Sequence, residues 1–466
     1  MTASSHLTWR RHTRRTLGIL AVVAVGMTAV ACGDDDDDSA EPGGAGEGDG
    51  GAINVAIVGN PQMEDISELT PELFTEETGI EVNYSVLEEG TLREIVTRDI
   101  GGGGEQFDVV MIGPFEAPQF GANGWLTDLT PYAEEDESYA FDDLIPTVRD
   151  ALSVEGELYA APFYAESSFL MYRRDVLEDA GITMPENPTW DEVAEIARAV
   201  DTDEMAGICL RGKPGWGDLG ASFTTVLNTF GGTWWSANDD GTVGAAQVDQ
   251  PEFREALEFY VNLVNDAGED DAANASFNEC LAQYQDGQVA MWYDATVAAG
   301  TLEADDSPVQ GLNGYATAPV KETEASGWLW TWALAIPQNS PDPDTAWEYI
   351  SWATGPDYIE AAGSQISGGW AAIPPGTRAS TYEIPEYQEA AGAFADVTLE
   401  AMEAAPIDNP GTTPRPGVPG VQYVGIPEFQ DVGNRCTEQF ASVIAGGVSI
   451  DAALSACQDI ASQVGG

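Results

Sequence analysis

The chain has 466 residues, with 79 acidic and 17 basic side chains, a formal net charge of −62 and 43% hydrophobic residues. That apolar share supplies a core, so a disordered acidic tail is excluded, and so strong a negative charge repels a phosphate backbone, which excludes nucleic acid as a partner. His6 and His12 are the only histidines, both in a basic N-terminal stretch, so its removal takes away every Ser-His-Asp, Cys-His or His-ligated zinc mechanism.

In chain order, Arg10, Arg11, Arg14 and Arg15 precede an apolar run from Leu17 to Ala31 that ends in small residues. This is the order of a secretory signal over residues 1–31, and the run is short of the roughly 20 residues that a permanent span needs. Thr13-Arg14-Arg15-Thr16-Leu17-Gly18 resembles a twin-arginine export signal, with ordinary secretion the alternative. Ala29-Val30-Ala31-Cys32 resembles the bacterial lipobox, which implies a lipidated Cys32 as the new N-terminus. Residues 32–51 are acidic and Gly-rich beyond that cysteine, with no apolar surface to bury, and read as a tether of about 25 Å root-mean-square span. The Asp34–Asp38 run lacks the alternating ligands and turn glycine of a calcium loop.

Beyond the tether the spacing predicts strands over Ile53–Val58, Glu81–Leu87 and Phe107–Ile112, separated by helices over Glu64–Thr78, ending at Gly79, and Thr91–Ile100. Strand–helix alternation implies an α/β fold with a parallel sheet covered on both faces, and ligands gather beyond the carboxyl ends of such strands. The same idiom continues with helices over Trp190–Val200 and Phe253–Asn265 and strands over Ala206–Leu210 and Val289–Tyr293. The Pro/Gly-rich Asn409–Gly420 segment reads as a surface loop. Two amphipathic helices, Pro427–Ala445 and Ser449–Val464, flank the Gly446-Gly447 break, with Ser449 as N-cap. Folded antiparallel, they bring Cys436 and Cys457 to the same height, and elimination pairs Cys209 with Cys280. Both read as structural disulfides, with neither a redox Cys-x-x-Cys nor a metal spacing present.

Several segments carry a family resemblance. Tyr159–Ser168 and Tyr172–Leu177 resemble the lobe-crossing segment of family 1 extracellular solute-binding proteins, the carbohydrate receptors of bacterial ABC importers. Gly207–Trp216, Met291–Thr296, Gly327–Pro337, Pro374–Arg378 and Ile426–Phe429 are similar to the sorbitol and mannitol receptors of that family. The resemblance runs from about Ile53 to the C-terminus and implies a periplasmic-binding-protein type II fold: two lobes, a hinge and a ligand cleft. By analogy one lobe takes residues 52–161 plus 328–356 and the other 162–327 plus 357–466. It further implies a monomer on the outer face of the cytoplasmic membrane that hands a polyol or small sugar to permease subunits, with no cofactor, metal or catalysis.

A polyol presents hydroxyls and weakly apolar C–H faces, so its receptor needs carboxylates, amides and Arg beside aromatic planes. The candidates are Asn60, Glu116, Tyr164, Glu166, Arg211, Lys213, Trp216, Asp294, Trp328, Trp330, Trp370 and Arg378. Glu166 matches a cleft-facing carboxylate position of the family, and Asp294 is placed as a bidentate acceptor for hydroxyls. Lys213 is one of only two lysines. Trp328, Trp330 and Trp332 alternate as on one strand face, with Trp332 assigned to the core and the first two to the cleft. Trp370, directly after Gly368-Gly369, is placed as a lid aromatic. Two competing functions are a secreted glycoside hydrolase working through carboxylates and a receptor for a quaternary ammonium osmolyte in a tryptophan cage.

Overall fold

The computed structural model describes residues 51–464. The export segment, Cys32 and the tether up to Gly50 lie outside the described residues. The strands of the two larger sheets are β1 (Ala52–Val58), β2 (Glu81–Leu87), β3 (Val109–Ile112), β4 (Ala161–Glu166), β5 (Ser168–Arg173), β6 (Met291–Ala295), β7 (Asn313–Thr317) and β8 (Trp330–Ala335).

The first sheet has the order β2-β1-β3-β8-β4. Its β1 runs parallel to β2 and β3, as the strand–helix alternation predicts, whereas β8 is antiparallel to both β3 and β4. Every residue of β3, β4 and β8 is buried, which is why these segments read as continuous apolar runs rather than alternating ones. The second sheet is β6-β5-β7 and wholly antiparallel, so the parallel idiom does not extend to it. The expected strand Ala206–Leu210 is reduced to isolated parallel bridges from Ala206 to Val289 and from Cys209 to Trp292. Between them Gly207 is pressed against the Ala197 carbonyl, and the Ile208 N–H donates to Ala267 O at 3.0 Å instead of to the sheet.

The helix expected over Glu64–Thr78 starts earlier and is interrupted. Pro61 opens it at Asn60, and Pro71, which has no N–H to give, converts Pro71–Thr75 into a wider π turn before Glu76–Thr78 ends at Gly79, φ 75°. The next helix, Glu89–Gly101, begins ahead of the expected Thr91 because the Glu88 carboxylate caps the Gly90 and Thr91 N–H groups. The C-terminal helices Phe429–Ile444 and Ile450–Ala461 form the expected hairpin, with the Ser449 hydroxyl accepting from the Ala452 N–H. Both disulfides form as paired, with Cα–Cα distances of 5.0 Å for Cys436–Cys457 and 5.7 Å for Cys209–Cys280.

The chain crosses from one sheet to the other at Ser167, between β4 and β5, so strand pairing carries the first sheet to Glu166, past the division expected at Ala161. It crosses back ahead of β8, where the Trp328 N–H donates to the Ser168 hydroxyl at 3.3 Å. The two crossings therefore lie side by side, and they deliver Glu166 and Trp328 to the junction of the sheets.

Candidate functional site

A small cavity of about 30 Å³ lies at that junction. One wall is aromatic. Trp330 and Trp332 project from β8 and Trp328 from its lead-in, and all three line the cavity with Trp216. Trp332, expected in the core, belongs to the site because it shares the strand face of Trp330, two residues before it in regular register. Gly113 makes room for this wall: any side chain there would strike the Trp330 ring.

The faces of these indoles are taken by the protein's own cation. The Arg93 guanidinium carbon stands 4.2 Å from the Trp216 ring centroid and 4.7 Å from those of Trp330 and Trp332. Arg93 is fixed there by donating to Glu116 at 2.6 Å and to Glu89 through Nη2 at 2.8 Å and Nε at 3.1 Å. Glu116, a predicted ligand residue, is therefore behind the wall. It is buried, holds Arg93 and accepts the Gly113 N–H at 3.1 Å.

The opposite wall is polar. Arg211 donates to both oxygens of Asp294, at 2.8 and 2.6 Å, and to Gly217 O at 2.9 Å. Asp294 also accepts from Trp292 Nε1 at 3.1 Å and the Ala295 N–H at 2.7 Å, and it is wholly buried. Asp294, expected to serve ligand hydroxyls, has both oxygens on Arg211, which is the member that lines the cavity. Asn60 is placed there too. Although it sits at a helix N-cap its side chain caps nothing, and its amide donates instead to the Tyr164 hydroxyl at 3.3 Å.

Glu166 occupies the end of β4 between these walls. Burial lifts its carboxyl well above the ordinary range; Arg211 opposes this, and the Asp294 and Glu89 carboxylates add to it. Its Oε2 has no hydrogen-bond partner among the described residues, and the same holds for Trp216 Nε1, Trp328 Nε1 and Gln422 Oε1, all on residues that line the cavity. Buried polar atoms are rarely left so, and here two donors and two acceptors belong to residues of one lining.

Three predicted residues fall elsewhere. Lys213 is not in the lining but forms a 2.8 Å ion pair with Glu88. Trp370 packs on Gly363 of the helix Pro356–Gln365, whose lack of a side chain leaves room for the indole, so it is no part of the lining. Arg378 is fully buried with its guanidinium on Thr354 O at 3.1 and 3.0 Å and on Ala140 O at 3.1 Å, 4.7 Å from the Tyr139 ring centroid. Conversely, sequence reasoning missed Glu89, Arg93, Phe277 and Gln422. Glu89 and Arg93 stand four apart on a helix whose start had been placed too late, and the scarcity of basic residues was the available signal for Arg93. Nothing local marks Gln422. Among the described residues, the one grouping of ligating side chains close enough for a metal, Cys209, Glu269 and Cys280, has both sulfurs in a disulfide.

Comparison with known proteins agrees with this architecture. The family model described as bacterial extracellular solute-binding protein matches residues 60–360. A mannitol-binding protein of Pseudomonas aeruginosa is 40% identical over 410 residues, covering 87% of this chain and 91% of that protein. An erythritol/L-threitol-binding protein of Mycolicibacterium smegmatis is 26% identical over 393 residues, covering 78% and 80%. The crystal structure of an ABC transporter solute-binding protein from Agrobacterium vitis with bound D-mannitol superposes with a TM-score of 0.84 at 42% identity, covering 89% of this chain and 98% of that one. With its two sheets, paired crossings and junctional cavity, the chain belongs to the bacterial extracellular solute-binding protein family.

Proposed function

We propose that this chain is the extracytoplasmic receptor of an ABC importer and that it captures a mannitol-like polyol between two lobes, without chemical change. The observation that carries the reading is that four residues lining one cavity each bear a buried polar atom without a partner: Glu166 Oε2, Trp216 Nε1, Trp328 Nε1 and Gln422 Oε1. A hydroxyl both donates and accepts, so a row of them is the ligand class that satisfies this mixture while its C–H faces pack on indole. The names of the similar proteins support the same class: one is a mannitol-binding protein and another was crystallised with D-mannitol. The lobes in this reading are residues 52–161 plus 328–356 and 162–327 plus 357–466. The anchor is a lipid on Cys32, the body a monomer, and the recipient a permease of the importer.

The ammonium-receptor alternative is disfavoured by Arg93, which already covers the faces of three indoles. The hydrolase alternative needs two available carboxyls, whereas Asp294 and Glu89 are engaged by Arg211 and Arg93. A thermal-shift screen against hexitols, pentitols, hexoses, disaccharides and betaine tests the reading. A ligand at 100 times its dissociation constant adds about 2.7 kcal/mol, so D-mannitol at that level raises Tm clearly. A shift with betaine and none with any polyol contradicts the proposal.

A further inference from the structure

We infer that the Cys209–Cys280 disulfide is a positioning crosslink for the ligand site, setting affinity as well as stability; the inference rests on the receptor reading above. Arg211 follows Cys209 by two residues, and Phe277 opens the helix Phe277–Gln285 that carries Cys280, so each half-cystine leads directly to a residue lining the cavity. The two segments are also joined by backbone. The N–H groups of Gly212 and Lys213 both donate to Ala275 O, at 2.9 and 3.0 Å, and a side chain at Gly212 would strike the Ala272 carbonyl. Across this seam the Arg211 guanidinium carbon lies 5.7 Å from the Phe277 ring centroid.

The seam needs a staple because its halves are far apart in the chain, the cysteines being separated by 71 positions. With the crosslink cut, Arg211 keeps Asp294, and the segment bearing Phe277 is left with the two N–H bonds to Ala275 O, the Ser276–Asp218 and Asn278–Gly59 hydrogen bonds and the packing of Phe277 on Trp292, none of them covalent. Fluctuation of that segment must be frozen again whenever ligand binds, which lowers affinity without removing any ligand contact. Both halves of the staple lie between β5 and β6 in the chain and it spans neither crossing, so the effect is separate from movement of one sheet against the other.

The test compares the oxidised protein with the Cys209→Ala/Cys280→Ala double variant and with Ile350→Ala. Ile350 is buried in the helix Pro343–Ala353, which contributes nothing to the cavity. Two quantities are measured: amide exchange of Gly212 and Lys213 without ligand, and Kd for D-mannitol. The expected result is about tenfold faster exchange and about tenfold weaker binding in the cysteine variant, with Ile350→Ala lowering Tm while leaving both near wild type. A cysteine variant that loses Tm but keeps wild-type Kd overturns the inference, as do unchanged exchange rates. If the wild-type protein does not bind D-mannitol, the receptor reading has failed, and unchanged exchange would independently overturn the crosslink.

Discussion

Arg211 and Arg378 are both buried, both lie in segments that resemble the same receptors, and both were expected in the cleft, yet they do different work. Arg378 spends its guanidinium on the carbonyls of Thr354 and Ala140 and ties three separate loops together. Arg211 is held just as firmly, by Asp294 and Gly217 O, but it stands beside atoms that nothing in the fold satisfies. Burial of a cation therefore does not identify a ligand site in this chain. What separates the two regions is that Arg211 lines a cavity together with Glu166, Trp216, Trp328 and Gln422, each of which bears an unpartnered buried polar atom, whereas Arg378 is no part of that lining.

Breaking each arginine's support sharpens the contrast. Asp294→Ala leaves Arg211 buried without its counter-charge, which costs about 3–5 kcal/mol, and abolishes D-mannitol binding. Chemical denaturation checks this, and near-normal stability would show that the pair is not structural. Arg378→Met strands two carbonyls and costs about 2–3 kcal/mol, but calorimetric titration of the folded variant should return a wild-type Kd. A large loss of affinity there would move Arg378 back into the site. Glu166→Ala reverses that pattern, with little change in Tm and a loss of about 1–3 kcal/mol in binding, the usual cost of an unanswered hydrogen bond.

The pH response has a definite sign. Burial lifts Glu269 from 4.5 to about 7, and Glu166 is raised well above the same starting value. The folded protein thus holds protons that the unfolded chain has released above pH 4.5, so these groups make stability fall as pH climbs from 4.5 through about 7. Glu269→Gln should flatten the lower part of that slope in a Tm series, and an unaltered slope would assign it to other groups. The smallest effect is ionic. With a formal charge of −62, self-repulsion is relieved as the screening length drops from about 10 Å at 0.1 M salt to about 3 Å at 1 M, so Tm rises with salt. A flat curve removes the idea that the acidity is an adaptation to an ion-rich medium.

The sequence made much of the fold legible. Helix and strand periodicities located β1, β2 and the helix Trp190–Val200, and equal heights in a helical hairpin identified one disulfide. Harder to see were features fixed by distant contact. The antiparallel second sheet depends on which strands meet, and the loss of the Ala206–Leu210 strand depends on a backbone from another element crowding Gly207. The site was half legible for the same reason. Glu166, Arg211 and Trp330 sit in segments that carry the family resemblance, and they line the cavity. Glu89 was hidden by a misplaced helix start, because a Glu at the N-cap is a weaker signal than Ser, Thr or Asp, whereas Arg93 lay inside the expected helix and only the scarcity of basic residues marked it. Trp332 shares the face of Trp330 as alternation requires, but alternation alone does not say how far along β8 the cavity reaches.

The central claim is that the open hydrogen-bond account at the sheet junction is closed by a polyol. A crystal structure with D-mannitol tests it most directly. The account predicts hydroxyl oxygens within about 3 Å of Glu166 Oε2 and of the Trp216 and Trp328 indole nitrogens. Mannitol bound elsewhere, or a cavity in which those atoms stay unpaired beside the ligand, would contradict it.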